Sequence, residues 1–471
     1  MKIAVNRNIT KSFFECVRQI AILAIENLVL ISLHQHLTSW YVAFLVSTVF
    51  NFIFQVIYLH NESRLLSCGG FLIIFSYLFQ CSFPLLFALN LVPNNGSTVL
   101  YLVSLVSSKN FMRGSEFGLN GIVILYLGYI VFINFSKIQD ESTYHVWEYS
   151  YGFALVCAFV FGFFYYFSII SVAYYALTHG NYSTISTVRN SILVDIGYEM
   201  HGFYFGSLYM LVMYYHQREN DSKCNMILFL VAISVAISFL SGARSFGTLD
   251  IAIFLIFWIN DVRKLNAKRA ILFAVFILVG LQLIIGVRYV RSSSLSISSI
   301  LSAMFSFKHS LFYEVLSEFG TSGILNGLFL DTSHTTHALD FFIKELLSVL
   351  PNISTWGGDI FLPPSERLGI EQHYHLGSSF IADFEFYFGQ HGYLFMPIIG
   401  IEMAMVDNYI DSMRKLKDYY KIAVLFPFIT ALLNCVRASA TLGLKMLVYS
   451  NIIYMILYSI LLSKSRSRNM A

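Results

Sequence analysis

The sequence predicts an all-α, polytopic membrane protein with about 12 transmembrane helices and one large loop outside the membrane. Of the 471 residues, 57% are apolar and only 12% are charged, and the mean hydropathy is +0.66. Soluble domains average about 25% charged and about 45–50% apolar residues. Apolar runs long enough to cross a bilayer recur along the chain, with a single long polar interruption late in it. These observations exclude a soluble enzyme, a coiled coil and a disordered chain.

Twelve apolar runs approach the ~20 residues that a helix needs to cross the bilayer. They cover residues 17–37, 40–60, 71–92, 119–135, 151–177, 200–216, 225–241, 246–260, 270–290, 390–406, 421–437 and 444–462. Segment 98–108 is apolar but too short to span, so we expect a re-entrant or interfacial segment there. The first run contains Glu26 and is the weakest of the twelve.

Lysines and arginines orient the predicted spans, because short loops rich in these residues stay in the cytoplasm. With the N-terminus inside, 19 of the 30 lysines and arginines fall in inner segments, Arg64 and Arg414 among them. We therefore expect both termini in the cytoplasm. Residues 1–290 then form the first nine helices, 291–386 form the large outer loop, and 387–471 form the last three helices and a basic tail.

The outer loop contains one clear helical pattern. In ALDFFIKELLSVL, apolar residues recur at helical spacing, at Leu339, Phe342, Ile343, Leu346 and Leu350. We expect an amphipathic helix that lies on the membrane face and is ended by Pro351. The rest of the loop, up to HYHLGSSFIADFEF, is rich in Gly, Pro and aromatic residues and predicts packed irregular structure.

Histidines give the clearest chemical signal in the loop region. Six of the 13 histidines fall there: His309, His334, His337, His373, His375 and His391. An imidazole titrates near physiological pH, which suits a general base or a hydrogen-bond donor to substrate. Metal binding by His334 with His337, or by His373 with His375, stays open, although no cysteine joins them. Ordinary loop histidines are the other alternative.

Arginines near the outer membrane surface indicate an anionic ligand. Arg244 lies in the short turn SGARSFG, Arg288 and Arg291 end the ninth run, and Arg437 lies in NCVRAS. A guanidinium group binds a diphosphate through paired hydrogen bonds. The alternative for each arginine is a side chain that extends to the lipid headgroups.

Ionisable groups at or near membrane depth keep a transporter among the candidates. They are Glu26, Asp195, Glu199, Asp250 and Glu402. Such groups usually face a cavity or a partner, as in proton-coupled transporters. A Walker A loop, a serine nucleophile elbow and a Rossmann glycine pattern are all missing from the sequence, so nucleotide-driven transport and hydrolase chemistry lack support.

Two motifs, taken with the topology, resemble the bacterial O-antigen polymerases of the Wzy type, which polymerise oligosaccharide repeat units. Gly242 and Arg244 match the family's Gly-x-Arg turn. Arg437 resembles an arginine that recurs late in the family. In the segment that closes the outer loop, the matching residues are Gly377, Ser379, Asp383, Phe388, Gly389 and Gly392, with Asp383 where glutamate is more usual.

The resemblance implies a membrane-embedded, GT-C-like glycosyltransferase of lipopolysaccharide biosynthesis in the bacterial inner membrane. Its large loop and active site would face the periplasm. Donor and acceptor would be undecaprenyl-diphosphate-linked oligosaccharides, and the growing glycan would move from its lipid diphosphate to a new lipid-linked repeat unit. A protein that controls chain length is a further candidate partner, beside membrane lipid; no cofactor, metal or nucleic acid is expected.

The residue chemistry and the resemblance together assign candidate roles. Arg244, Arg288 and Arg437 are expected to bind the lipid diphosphate, with Arg291 as a weaker candidate. His375, ahead of His373, is expected to act as the base, because the chain returns both to the membrane just after them. Asp383 is the rival base.

Two other functions remain open from the sequence. An O-antigen ligase shares the architecture and differs only in its acceptor. A flippase or transporter of lipid-linked oligosaccharides would show internal inverted repeats and no large structured loop. The sequence shows the loop and not the repeats.

The predicted topology can be tested by cysteine labelling in a variant that lacks the six native cysteines. A membrane-impermeant thiol reagent should modify Ser333→Cys from the periplasmic side, because residue 333 lies in the outer loop. Asn266→Cys should react only after permeabilisation. The reverse pattern would contradict both the topology and the site assignments.

Overall fold

The structure is a computed structural model that describes residues 2–93, 98–135, 150–179, 192–240, 244–263, 282, 286, 297–304, 311–331, 338–347, 349, 379–437, 439 and 441–468. The chain divides into two compact units. Unit 1 comprises Met1–Thr143, Ser310–Ser412 and Cys435–Lys445, and unit 2 comprises Tyr144–His309, Met413–Asn434 and Met446–Ala471.

All regular secondary structure in the described residues is helical, which confirms the all-α part of the predicted fold class. The α-helices are α1 (Lys2–Ser32), α2 (Leu37–Asn61), α3 (Cys68–Ala88), α4 (Thr98–Ser104), α5 (Ser108–Phe135), α6 (Tyr151–His179), α7 (Ile192–Glu199), α8 (His201–His216), α9 (Asp221–Leu240), α10 (Arg244–Asp261), α11 (Ile297–Met304), α12 (Leu311–Phe319), α13 (Thr321–Asp331), α14 (Ala338–Leu347), α15 (Phe380–Phe388), α16 (Pro397–Leu416), α17 (Tyr419–Asn434) and α18 (Thr441–Arg468). Gly389–Phe395 and Cys435–Arg437 are 3-10 helices.

Seven helical stretches in the described residues are long and apolar enough to cross a membrane, so the protein is polytopic. They are Leu37–Asn61, Cys68–Ala88, Ser108–Asn134, Tyr151–Tyr175, Asp221–Ser238, Tyr419–Arg437 and Gly443–Ile460. Helices also form at the predicted runs 17–37, 200–216 and 246–260, whereas run 270–290 lies almost entirely outside the described residues. The total of 12 spans therefore stays a prediction.

Two of the predicted apolar segments are divided into separate helical elements that the sequence does not indicate. Run 390–406 is divided between the 3-10 helix Gly389–Phe395 and α16. Pro397 begins α16, a position where proline is favoured because its missing N–H would have no helical partner. The short segment 98–108 contains α4, which is separate from α5.

Helix α1 turns a polar face toward its neighbours and leaves apolar residues exposed. Glu26, which makes this run weak in sequence, accepts a hydrogen bond from Asn51 Nδ2 at 2.6 Å. Asn27 and Asn120 exchange side-chain hydrogen bonds of 3.1 and 3.0 Å between α1 and α5. Polar side chains that bond across helices hold membrane helices together. These groups therefore join helices within unit 1.

A polar cluster holds the end of unit 1 where α2 leads into α3. The buried carboxylate of Asp407 accepts the backbone N–H groups of Cys68 and Gly69, each at 3.0 Å, and the hydroxyl of Tyr129 at 2.8 Å. Arg64 pairs with Asp411 at 2.5 Å. The first N–H groups of a helix have no helical partner, so Asp407 caps α3 from a distant part of the chain.

Part of the predicted loop packs directly onto two candidate spans. Helix α13, which sequence patterning did not identify, contacts α3 and α5 and is largely buried. Gly114 of α5 meets the backbone of Gly327, and Gly323 meets the carbonyl oxygen of Gln80. A Cβ at either glycine would collide with these atoms, so glycine is needed for the helices to approach this closely.

Unit 2 is built around α8, which contacts α6, α9, α10 and α17. Gly202 lies against the backbone of Pro427, which brings α8 and α17 together. The Arg414 guanidinium donates two hydrogen bonds to Asp261, at 2.7 and 3.2 Å, and Tyr209 donates a third at 3.0 Å. These bonds fix the end of α10.

Gly114→Ala tests the close packing of α13 on α5. Alanine is the better helix former, so an open glycine should tolerate the change. Gly152 is the matched control, because a Cβ there meets only Ser150 Oγ, at 3.9 Å. Gly114→Ala should lower the free energy of unfolding by about 1–3 kcal/mol, the range for overpacking. A melting temperature of purified Gly114→Ala as high as that of Gly152→Ala would contradict the packing.

Candidate functional site

The segment that closes the outer loop folds as a short buried helix followed by a tight turn. Residues Phe380 to Glu385 of α15 are buried. Gly389 ends α15 with φ of +68°, a conformation that strongly favours glycine. A Cβ on Gly392 would collide with the carbonyl oxygen of Phe384. The backbone geometry therefore explains why glycine occupies both positions of the Gly-x-x-Gly pattern.

A buried chain of hydrogen bonds fixes the start of α15. Ser379 Oγ accepts from Gln80 Nε2 at 2.7 Å, and Gln80 Oε1 accepts from Asn326 Nδ2 at 2.9 Å. Asn326 Nδ2 also donates to the carbonyl oxygen of Gly114 at 3.1 Å. Ser379 precedes α15, but its side chain makes no capping bond to the helix. Its hydroxyl instead ties the segment to α3 and, through Asn326, to α13 and α5.

Acidic side chains gather on the buried side of α15. Asp383 is fully buried. The Tyr387 hydroxyl donates a hydrogen bond to Glu345 of α14, which is also buried. Burial, followed by the nearby charges of Asp383 and Glu345, raises the pKa of Tyr387 well above its ordinary value. The three groups therefore share one desolvated site.

A helix forms where the sequence predicts one in the loop, as α14, but its buried side differs from the predicted apolar stripe. Its place on the membrane face stays a prediction. Phe342 packs against the rings of Tyr387 and Phe388, at centroid distances of 5.4 and 5.3 Å. Ile343 and Leu346 are exposed, whereas Glu345 is buried. The pairing of Glu345 with Tyr387 explains why an acidic residue lies on the protein side. Pro351 lies outside the described residues.

Glu385 is the most unusual group in this segment. Its side chain is fully buried, and within the described part of the chain neither carboxyl oxygen has a hydrogen-bond partner. Burial raises the pKa of Glu385 well above its ordinary value of 4.5. Burial without a hydrogen-bond partner among the described residues thus favours the neutral, protonated form of Glu385.

The predicted diphosphate-binding arginines are resolved unequally. Arg437, which is half-buried, belongs to the 3-10 helix that contacts α3 and α15 within unit 1. Arg244 begins α10 in unit 2, and only its backbone is described. Arg288 and Arg291 lie outside the described residues. The structure thus brings Arg437 beside the Asp383 helix, and the roles of all four arginines stay predictions.

The predicted histidines also lie mostly outside the described residues. This holds for His309, His334, His337, His373 and His375, and also for Gly377. His391 is exposed on the 3-10 helix after α15, with its Nε2 3.4 Å from Gln390 Nε2. In the described ranges no three His, Cys, Asp or Glu side chains are grouped to hold a metal ion.

Sequence reasoning missed Gln80, Asn326 and Glu345. Gln80 is an amide inside the apolar run of α3, which is a weak signal of a buried polar contact. Asn326 lies between the closely packed glycines of α13, and Glu345 interrupts the apolar pattern of α14. Each is a single polar residue among apolar ones. Such a pattern indicates that the residue makes a buried polar contact, but it does not show with which residue.

A family model for O-antigen polysaccharide polymerase Wzy matches residues 20–344, more than half of the chain. The chain belongs to the Wzy family of O-antigen polymerases. No curated protein and no solved structure matches it. A Wzy polymerase is a polymerising glycosyltransferase that acts on lipid-linked O-antigen units. The match begins within α1, covers α2 to α13 and most of α14, and ends before the closing segment.

The buried carboxyl of Glu385 predicts a pH dependence of stability for this Wzy polymerase. Its folded-state pKa lies above that of the unfolded chain. The stabilisation is therefore complete below the unfolded value and is lost as pH rises through the folded value. The melting temperature of the wild type should fall from about pH 5 to about pH 8 more steeply than that of Glu385→Gln, whose amide does not ionise.

Glu219→Gln is the matched control for this measurement, because Glu219 is exposed. Its melting temperature should follow the wild type across the whole range. Equal slopes for the wild type and Glu385→Gln would contradict the raised pKa of Glu385, because they would mean that this pKa is the same in the folded and the unfolded chain.

Proposed function

We propose that this protein polymerises undecaprenyl-diphosphate-linked O-antigen repeat units at the periplasmic face of the bacterial inner membrane. The match of the family model to residues 20–344 carries this proposal. The growing glycan leaves its lipid diphosphate and is joined to a new lipid-linked repeat unit. The basic-residue asymmetry of the sequence supports the orientation.

The transfer breaks the bond between the donor sugar and its diphosphate and forms a glycosidic bond to an acceptor hydroxyl. Negative charge develops on the leaving diphosphate, and positioned cations stabilise such charge in the transition state. Arg437, with Arg244, Arg288 and Arg291, supplies these cations. The contact of the Arg437 turn with α15 supports its place near the acidic groups.

The acceptor hydroxyl must lose its proton as it attacks. His375 or His373 takes this proton and passes it to the released diphosphate, which balances the reaction. The burial of Asp383 favours a role in orienting the histidine over direct contact with the sugar. These steps need neither a metal ion nor a nucleotide.

Lysine substitution tests the arginines. Lysine keeps the charge but lacks the planar fork that binds two oxygens at once. Arg244→Lys, Arg288→Lys and Arg437→Lys should therefore lose nearly as much polymer as the alanine variants, measured with purified protein and lipid-linked repeat units. Arg218→Lys is the control, because Arg218 is exposed and stacks on Tyr214. Full-length polymer from all three lysine variants at normal protein levels would remove the assignment.

Substitution of the candidate bases tests the proton step in the same assay. A positioned base contributes typically about 10²–10⁴-fold to the rate. His375→Ala or His373→Ala should lower the polymerisation rate by this order, and Asp383→Asn should have a smaller effect. Wild-type rates for both histidine variants, together with an inactive Asp383→Asn, would transfer the role to the carboxylate.

A further inference from the structure

A histidine–glutamate pair lies where α1 leads into α2, outside the site described above. His34 Nε2 is 2.7 Å from Glu116 Oε1, and the indole N–H of Trp40 donates to the same oxygen at 2.8 Å. The His34 side chain is 20% exposed, whereas that of Glu116 is 9% exposed. The buried carboxylate is thus held by Trp40, and the imidazole is the member that a ligand can reach.

Aromatic rings gather at the same ends of α2, α3 and α5. The ring of Tyr41 stacks on Phe87 at a centroid distance of 5.2 Å with an interplanar angle of 13°. Phe111 meets both rings edge-on, at 6.4 and 6.2 Å. Tyr41 and Phe87 are only partly buried, so this stack is accessible from outside. Ligand sites typically combine such apolar surfaces with a few placed polar groups.

This end of unit 1 is the end to which the loop helices and the closing segment are attached. Phe117, next to Glu116 on α5, contacts Tyr393 in the 3-10 helix after α15, at 5.7 Å. The Lys11–Glu62 ion pair lies at the opposite ends of α1 and α2. Charged inner connections orient that opposite end toward the cytoplasm. The His34–Glu116 pair therefore lies on the outer side of the membrane in the predicted topology.

We propose that His34, Glu116 and the Tyr41–Phe87 stack form a saccharide-binding subsite, separate from the Arg437 and Asp383 site. Sugar hydroxyls both donate and accept hydrogen bonds, so the His34 ring nitrogen that does not face Glu116 can bind a hydroxyl in either tautomer. Sugar ring faces are apolar and pack on the aromatic stack. This subsite rests on the proposed function, because polymerisation holds two glycans at once, one on the donor and one on the acceptor.

Saccharide binding by the purified full-length protein tests the subsite. The probe is a single O-antigen repeat unit released from its lipid by mild acid, with binding followed by saturation-transfer NMR. His34→Gln and Tyr41→Leu should each weaken binding about tenfold, the usual effect of losing one hydrogen bond to a charged partner or one stacking contact. His60→Gln is the matched control, because His60 is exposed at the other end of α2.

A second titration with delipidated long-chain O-antigen identifies which glycan is bound. Weaker binding of the single repeat by the variants assigns the subsite to the acceptor, and weaker binding of the long chain assigns it to the donor. Wild-type affinity of both variants for both probes, or no saccharide binding by a wild type that polymerises, would overturn the subsite and leave the proposed function intact. A wild type that forms no polymer would instead contradict the proposed function.

Discussion

The close contact of α5 with α13 is the constraint on which the rest of unit 1 depends. Gly114 and Gly327 let the two helix backbones meet without intervening side chains. Only at that separation does Asn326 reach both Gln80 and the Gly114 carbonyl. Gln80 then holds Ser379 at the start of α15. The glycine contact between α5 and α13 thus sets the position of α15, which carries Asp383 and Glu385.

Polar contacts inside an apolar unit are individually modest. Side-chain hydrogen bonds between membrane helices contribute about 0.6–2 kcal/mol each. They fix how the helices pack, because a polar group away from water is costly unless it meets its partner. Asp407 caps α3, and the Glu116 carboxylate accepts the indole N–H of Trp40 and lies within hydrogen-bond distance of His34. Glu385 departs from this pattern: among the described residues its carboxyl has no hydrogen-bond partner, and burial raises its pKa, which favours the neutral form.

The sequence predicts the elements of this fold better than their contacts. Apolar run length identifies the candidate spans, and the pattern around Phe342 identifies α14, because each is a local property. The motif glycines Gly389 and Gly392 also proved structurally necessary. Gln80 and Ser379 are 299 residues apart, and Gln80 and Asn326 are 246 apart. A single sequence carries no signal that would pair residues at such separations.

The residues of the candidate site also fall into those that the sequence predicts and those that only the structure identifies. Arg437 and Asp383 were predicted from motifs, and the structure brings their segments into contact. Glu345 and the His34–Glu116 pair were not predicted, since each becomes meaningful only beside its partner. The gain from the structure is therefore a set of neighbours for residues that chemistry alone had singled out.

The lipopolysaccharide of a strain that lacks the gene tests the central claim, that this chain is the polymerase. Without it, repeat units are still made, exported and ligated, so the lipid core should carry one repeat unit, and a plasmid copy should restore the ladder of longer chains. A core without any repeat unit would contradict the account, because that result identifies a ligase or a flippase.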